Sequence, residues 1–163
     1  MNSRENLKKT LNHQQTDRLV VDFGGTAVTG IHVIAVKNLR KYYGLKDIPV
    51  KVSEPFQMLG EIDDELREAM GIDVVGAYGR NNIFGFPNLE CDWKPFTAWW
   101  GQELLVPVDF IYDRDTDGSL LIYPAGDHSV KPTARMPKTG YFFDAIIRQE
   151  PIDEGRLDPD DNV

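Results

Sequence analysis

Three aspartates at alternate positions, Asp113, Asp115 and Asp117, followed by Gly118, match the opening of an EF-hand calcium loop. Such a loop closes with a bidentate glutamate at its twelfth position and has a helix on either side. Counted from Asp113, the twelfth residue is Pro124, and the flanks "VDFIY" and "LLIYP" have strand composition. Asp117-Gly118 between two such runs predicts a hairpin turn instead. Zinc needs Cys and His in close groups, whereas His13, His32, His128 and Cys91 are isolated from one another. Cys91 lies in "LECDW", and its acidic neighbours disfavour the thiolate that a catalytic cysteine requires. No metal site is expected.

The stretch "FGGTAVTG" has other potential. Two glycines after an apolar run and before a helix let the backbone approach a ligand closely, and the helix start favours an anion. The spacing is neither G-x-G-x-x-G nor a P-loop. A ligand site and a tight turn between strand and helix are both open. Asp22, Gly24, Gly25, Thr26 and Thr29 are the candidate groups. A second apolar run ends in "GAYGRNN", which brings Tyr78, Arg80, Asn81 and Asn82 to its carboxyl end. If the two runs are parallel neighbours, Arg80 and Asn81 share the side of the glycines, and Arg80 would hold a carboxylate or phosphate. A surface loop is the alternative for Arg80.

Certain elements have to position these groups. Ser3 is placed to cap a helix running to about Leu11, with Glu5 in its first turn and Lys8 and Lys9 further on. "RLVVDFGG" reads as a strand. A second helix starts at Thr29 or Gly30, carries Ile31, Ile34, Ala35, Leu39 and Tyr42 on its apolar face, and ends at Gly44. A third spans about 61–70 with Ile62, Leu66, Ala69 and Met70 inward, and "IDVVGAY" follows as a second buried strand. This order predicts a parallel α/β architecture. From Phe96 the helical period disappears. "AWWGQELLVPVDFIYD", "GSLLIYPAG" and "TGYFFDAIIR" read as antiparallel strands, and six of the ten prolines lie between Pro87 and Pro137.

With 163 residues and 41% hydrophobic content, the chain can bury a core. A net charge of −8 with scattered Lys and Arg argues against nucleic acid or anionic lipid as partner. No apolar run approaches the roughly 20 residues of a membrane span, and "MNSRENLKKT" lacks a signal-peptide core. With the single Cys91, a cytoplasmic location is expected.

"SRENLKKTLNHQQTDRLVVDFGG" resembles the start of the uroporphyrinogen decarboxylase superfamily, where a helix is followed by a "DR" step into the first strand of a (β/α)8 barrel. "MGIDVVGAYGRN" is similar to that family's next recognisable strand. Trp100-Gly101 and "MPKTGYFFDAIIRQEPIDE" resemble the branch that contains cobalamin-dependent methyltransferases. The resemblance implies the N-terminal part of a TIM barrel with an antiparallel β-rich insertion. Residues 1–95 would hold the first βα units, 96–150 the β-rich segment of the same domain, and 151–163 an acidic linker or tail.

The functions it implies follow the same order. Decarboxylases of the family grip substrate carboxylates with an arginine-containing stretch where this chain reads "FGGTAVTG", and Arg80 stands where they carry an essential aspartate. The first reading is therefore the N-terminal portion of a corrinoid-dependent methyltransferase. Its parent would use zinc and a corrinoid, the zinc being held outside this chain. The partners would be a small-molecule substrate and a corrinoid protein. A decarboxylase acting on a tetrapyrrole or smaller acid is the second reading, and a non-catalytic α+β binding or assembly module the third. A (β/α)8 barrel takes about 250 residues, so the expectation is an inactive isolated chain that self-associates or needs a missing C-terminal half.

Overall fold

A computed structural model describes residues 2–87 and 92–149. Three α-helices, α1 (Ser3–Leu11), α2 (Val33–Tyr42) and α3 (Asp64–Met70), accompany eight strands. The strands are β1 (Val50–Glu54), β2 (Leu59–Gly60), β3 (Trp93–Thr97), β4 (Glu103–Pro107), β5 (Tyr112–Arg114), β6 (Leu120–Ile122), β7 (Ala134–Met136) and β8 (Asp144–Ala145). They form two four-stranded sheets in the orders β2-β1-β4-β3 and β5-β6-β7-β8.

This is a small α+β fold, and it corrects the expected TIM-barrel portion. A barrel needs successive parallel strands linked by helices. Here one strand pair is parallel, β1 with β4, and every other pairing among the described strands is antiparallel. The two predicted barrel strands, 18–25 and 72–78, form no ladder. They do lie side by side, since the Asp73 N–H donates to the Val21 carbonyl. The return bond, however, runs from the Val21 N–H to the Asp73 carboxylate at 3.1 Å. A side chain has taken the donor that a ladder would use. Rather than forming an insertion, β3 and β4 complete the first sheet beside β1 and β2, and β5 to β8 make the second.

Local signals explain the helices. α1 begins one residue earlier than expected: Asn2 is its cap, and its carboxamide and Glu5 form a capping box. α2 is capped by His32 and preceded by a short 3₁₀ turn, Ala27–Thr29. It buries Val33, Val36 and Arg40, so its inward face is rotated from the predicted stripe and Tyr42 is 80% exposed. α3 is capped by Asp63 and ended by Gly71 in the left-handed region. It buries Leu66, whereas Ala69 is exposed. The hairpin predicted at Asp117-Gly118 joins β5 to β6, with the Gly118 N–H donating to the Asp115 carbonyl.

The sheets share one core. Leu104 and Val106 of β4, Phe110 after it, Ile122 of β6 and Phe143 before β8 are all fully buried. Phe110 is the hinge of an aromatic chain, with ring centres 5.9 Å from Phe96, 6.2 Å from Phe86 and 6.3 Å from Phe143. Edge-to-face contacts of this kind favour a defined packing over an oily one. Among the described residues no helix is long and apolar enough to cross a membrane.

Candidate functional site

The loop 22–29 closes on itself. Oδ1 of Asp22 accepts from the Gly25 N–H at 3.0 Å and from the Thr29 hydroxyl at 3.3 Å. The Thr26 N–H donates to Thr29 Oγ1 at 3.2 Å, and the Gly24 N–H to the Thr29 carbonyl at 2.8 Å. The polar groups expected to meet a ligand are thus largely engaged within the turn. Gly25 is needed for close approach: a Cβ there would lie 2.9 Å from Cγ1 of Val74. Gly24 adopts φ +82°, which favours glycine, and its carbonyl accepts from the Tyr78 hydroxyl at 3.2 Å.

Beside this turn lies a groove of about 680 Å³. Phe23, Gly24, Val74 and Tyr78 line it together with Ile48, Lys51 and Ile62. That volume suits a drug-sized ligand. Gly24 is the one residue of the predicted set that lines it. Arg80 is exposed on the loop after Val75 and lines no cavity described here, while Asn81 lines a smaller cleft of about 290 Å³ with Asn82. The structure brings Asp22, Gly24, Gly25, Thr26 and Thr29 together in one turn; Asn81 shares its cleft with Ala27 of that turn and with Tyr78, which borders both cavities, and Arg80 lines neither.

The charged wall of the groove is absent from the predicted set. Arg40 is buried on α2, and its guanidinium bonds Asp63, Glu65 at 2.9 Å and the Lys46 carbonyl at 3.0 Å. Arg67 pairs with Asp64 at 2.8 Å and Lys51 with Glu61 at 3.5 Å. These cations are largely neutralised by their neighbours. An Arg in the last turn of a helix reads as ordinary C-terminal charge, and nothing in its spacing marks it as buried.

Next to Val74 in the chain, Asp73 takes Arg18 in a fork on both of its carboxylate oxygens. Those bonds hold the Asp73 carboxyl at about 2, well below the usual range, with Ser3 and the Val21 N–H adding to the effect against burial. The pair anchors the 18–21 segment to residue 73 and has no free valence for chemistry.

A separate polar pair lies on the second sheet. His128 Nδ1 is 3.1 Å from Asp113, and Tyr123 stacks on the imidazole at 4.4 Å. Burial, followed by the charge of Asp113, pushes the Tyr123 hydroxyl upward. The neighbouring Ser129 is tied to Asp127 through its own N–H at 2.8 Å. Asp113 serves this pair, Asp117 pairs with Arg135, and Asp115 caps Thr116. The three aspartates of the hairpin are therefore not converged on one point. Among the described residues no three His, Cys, Asp or Glu side chains come together as metal ligands. Cys91 and the tail 151–163 lie outside the described residues. No family model, no curated protein and no solved structure matches this chain.

Proposed function

We propose, on the sequence resemblance and not on the fold, which differs from that family's barrel, that this chain is the N-terminal portion of a cytoplasmic enzyme of the uroporphyrinogen decarboxylase superfamily, in its corrinoid-dependent methyltransferase branch. In this role it forms a wall of the substrate site. The resemblance of "SRENLKKTLNHQQTDRLVVDFGG" and "MGIDVVGAYGRN" supports the family. One structural observation supports the role: these two segments lie side by side and flank a groove of about 680 Å³.

The charge pattern of that groove favours methyl transfer over tetrapyrrole decarboxylation. A polycarboxylated macrocycle calls for several uncompensated cations. Arg40, Arg67 and Lys51 are each paired with a carboxylate, and Lys46 is the remaining cation on the wall. A small acceptor with an apolar body and one anionic group fits better, its charge near Lys46 and its body against Phe23, Ile62 and Val74. A corrinoid is larger than this space, so the corrinoid would be presented from a partner protein. Zinc would make the acceptor thiol a thiolate. The described residues do not fit it, since their donors are dispersed, and no step through zinc is assigned to this chain.

The test is methyl transfer from methylcobalamin to a thiol, followed by the appearance of cob(I)alamin. The full-length parent should show it, and the isolated chain should not. Uroporphyrinogen consumption without methyl transfer would move the assignment to the decarboxylase. Neither activity in the parent, with groove binding retained by the isolated chain, would instead establish a non-catalytic α+β module.

A further inference from the structure

A second cleft, of about 200 Å³, opens where the turn after β3 meets the β5–β6 hairpin and the end of β7. Trp99 forms one wall, and Arg114, Gly118 and Lys138 are on the others. The indole is 47% exposed yet held firmly. Its Nε1–H donates to the Gly140 carbonyl at 2.7 Å. Its ring packs 5.1 Å from Tyr141 and edge-on, at 5.8 Å, against Trp100. Behind them His32 accepts the Ile34 N–H through Nδ1, and its Nε2 lies 2.9 Å from the Tyr141 carbonyl. A large apolar face kept in water and already ordered loses little further freedom when a ring stacks on it.

The charges of the cleft point the same way. The hairpin carries Asp113, Asp115 and Asp117, yet among the described residues no carboxylate pairs with Arg114 or Lys138. The acids are engaged elsewhere, by His128, Thr116 and Arg135. Arg114 lies 6.0 Å over the Tyr112 ring, which braces the guanidinium without neutralising it. Lys138 runs its stem across Gly118. A Cβ at Gly118 would lie 3.3 Å from Lys138 Cδ, and φ there is +85°. Glycine at this turn therefore serves both the hairpin and the passage of the lysine. Two unpaired cations beside a fixed indole form a composite of anion clamp and aromatic platform.

We infer that this cleft binds a small anion carrying a flat ring, an aryl carboxylate or aryl phosphate, with the ring on Trp99 and the anionic group on Arg114 and Lys138. Its size admits a single ring with its head group and excludes a dinucleotide or a macrocycle.

Calorimetric titration of the whole chain at low salt, with phenyl phosphate, benzoate and inorganic phosphate, tests this. Saturable binding of at least one ring ligand, about tenfold tighter than inorganic phosphate, is the expected result. A preference between the two ring ligands identifies phosphate or carboxylate as the head group. Trp99→Leu should remove the advantage of the ring. Arg114→Gln and Lys138→Gln, both at exposed positions, should each weaken the ring ligands by about threefold or more, with unchanged thermal transitions. Trp99→Phe, which keeps a ring, should retain part of the affinity and covers the case in which Trp99→Leu fails to fold. Absence of saturable binding for both ring ligands up to about 10 mM overturns the inference, as does binding that the two cation variants leave unchanged.

Discussion

A methyl group on Gly25 would sit 2.5 Å from Oδ1 of Asp22 and 2.9 Å from Cγ1 of Val74. Gly25→Ala is therefore expected to push the turn off Val74 and to cost about 1–3 kcal/mol in urea unfolding, the usual range for overpacking. A variant as stable as the parent would show that the turn yields freely. Asp73 offers a test by pH. Its carboxyl titrates at about 2 in the folded chain against an ordinary value of 3.8, because Arg18 bonds its charged form. Since the folded value is depressed, the stability it contributes is complete above about pH 4 and is lost as the pH falls through about 2. Asp73→Asn should be less stable at neutral pH and should lose less on acidification from pH 4 to 2 than the parent does. Parallel pH profiles for the two proteins would contradict the role given to the pair.

Among the elements, α2 and α3 are joined by a buried cation. Arg40 reaches Asp63, which also caps α3 by accepting the Leu66 N–H at 2.9 Å, and Glu65 in the first turn. Removing the guanidinium leaves Asp63 partly buried and without its ion partner, and leaves the Lys46 carbonyl without its donor. Arg40→Ala is expected to cost about 3 kcal/mol, which lowers the melting temperature by roughly 6–12 °C for a chain of this size. Arg40→Lys should recover part of that loss, because a single ammonium cannot fork onto two acids and a carbonyl. Calorimetric melting of the two variants checks both statements, and an unshifted Arg40→Ala would sink the account.

For the molecule as a whole, the shared core predicts one transition. Phe110 contacts aromatic rings on both sides of the junction between the sheets. Phe110→Ala should cost about 3–5 kcal/mol and lower near- and far-ultraviolet dichroism together. Two separated transitions would mean that the sheets unfold independently. The surface carries a further consequence. Leu19, Val28, Val75 and Ile83 are 85%, 95%, 65% and 70% exposed on or next to the segments that carry the family resemblance. On the proposed function, the rest of the enzyme covers them, and the isolated chain should self-associate at micromolar concentration. The double variant Leu19→Ser, Val75→Ser should return it toward a monomer by sedimentation. A monodisperse parent chain would remove the need for a covering partner.

What the sequence determined by itself was local. Gly71 ends α3, the Asp117-Gly118 dipeptide turns the hairpin, and aromatic and β-branched runs separated by glycines, prolines and aspartates mark the antiparallel part, whereas the start of α3 lies at Asp63 and not at the expected residue 61. Each depends on a few adjacent residues and on the backbone preferences those residues carry. Apolar composition alone made 18–25 and 72–78 look like strands, whereas β1, in "VKVSE", offered no such run. Tertiary structure decided those cases. Asp73 captured the Val21 N–H, and β1 found a parallel neighbour in β4 more than fifty residues away. The groove wall followed the same rule: Arg40 is buried because Asp63, Glu65 and the Lys46 carbonyl meet it from other elements. Pairing and charge compensation between distant segments depend on where the chain returns to itself, and no short window of residues encodes that.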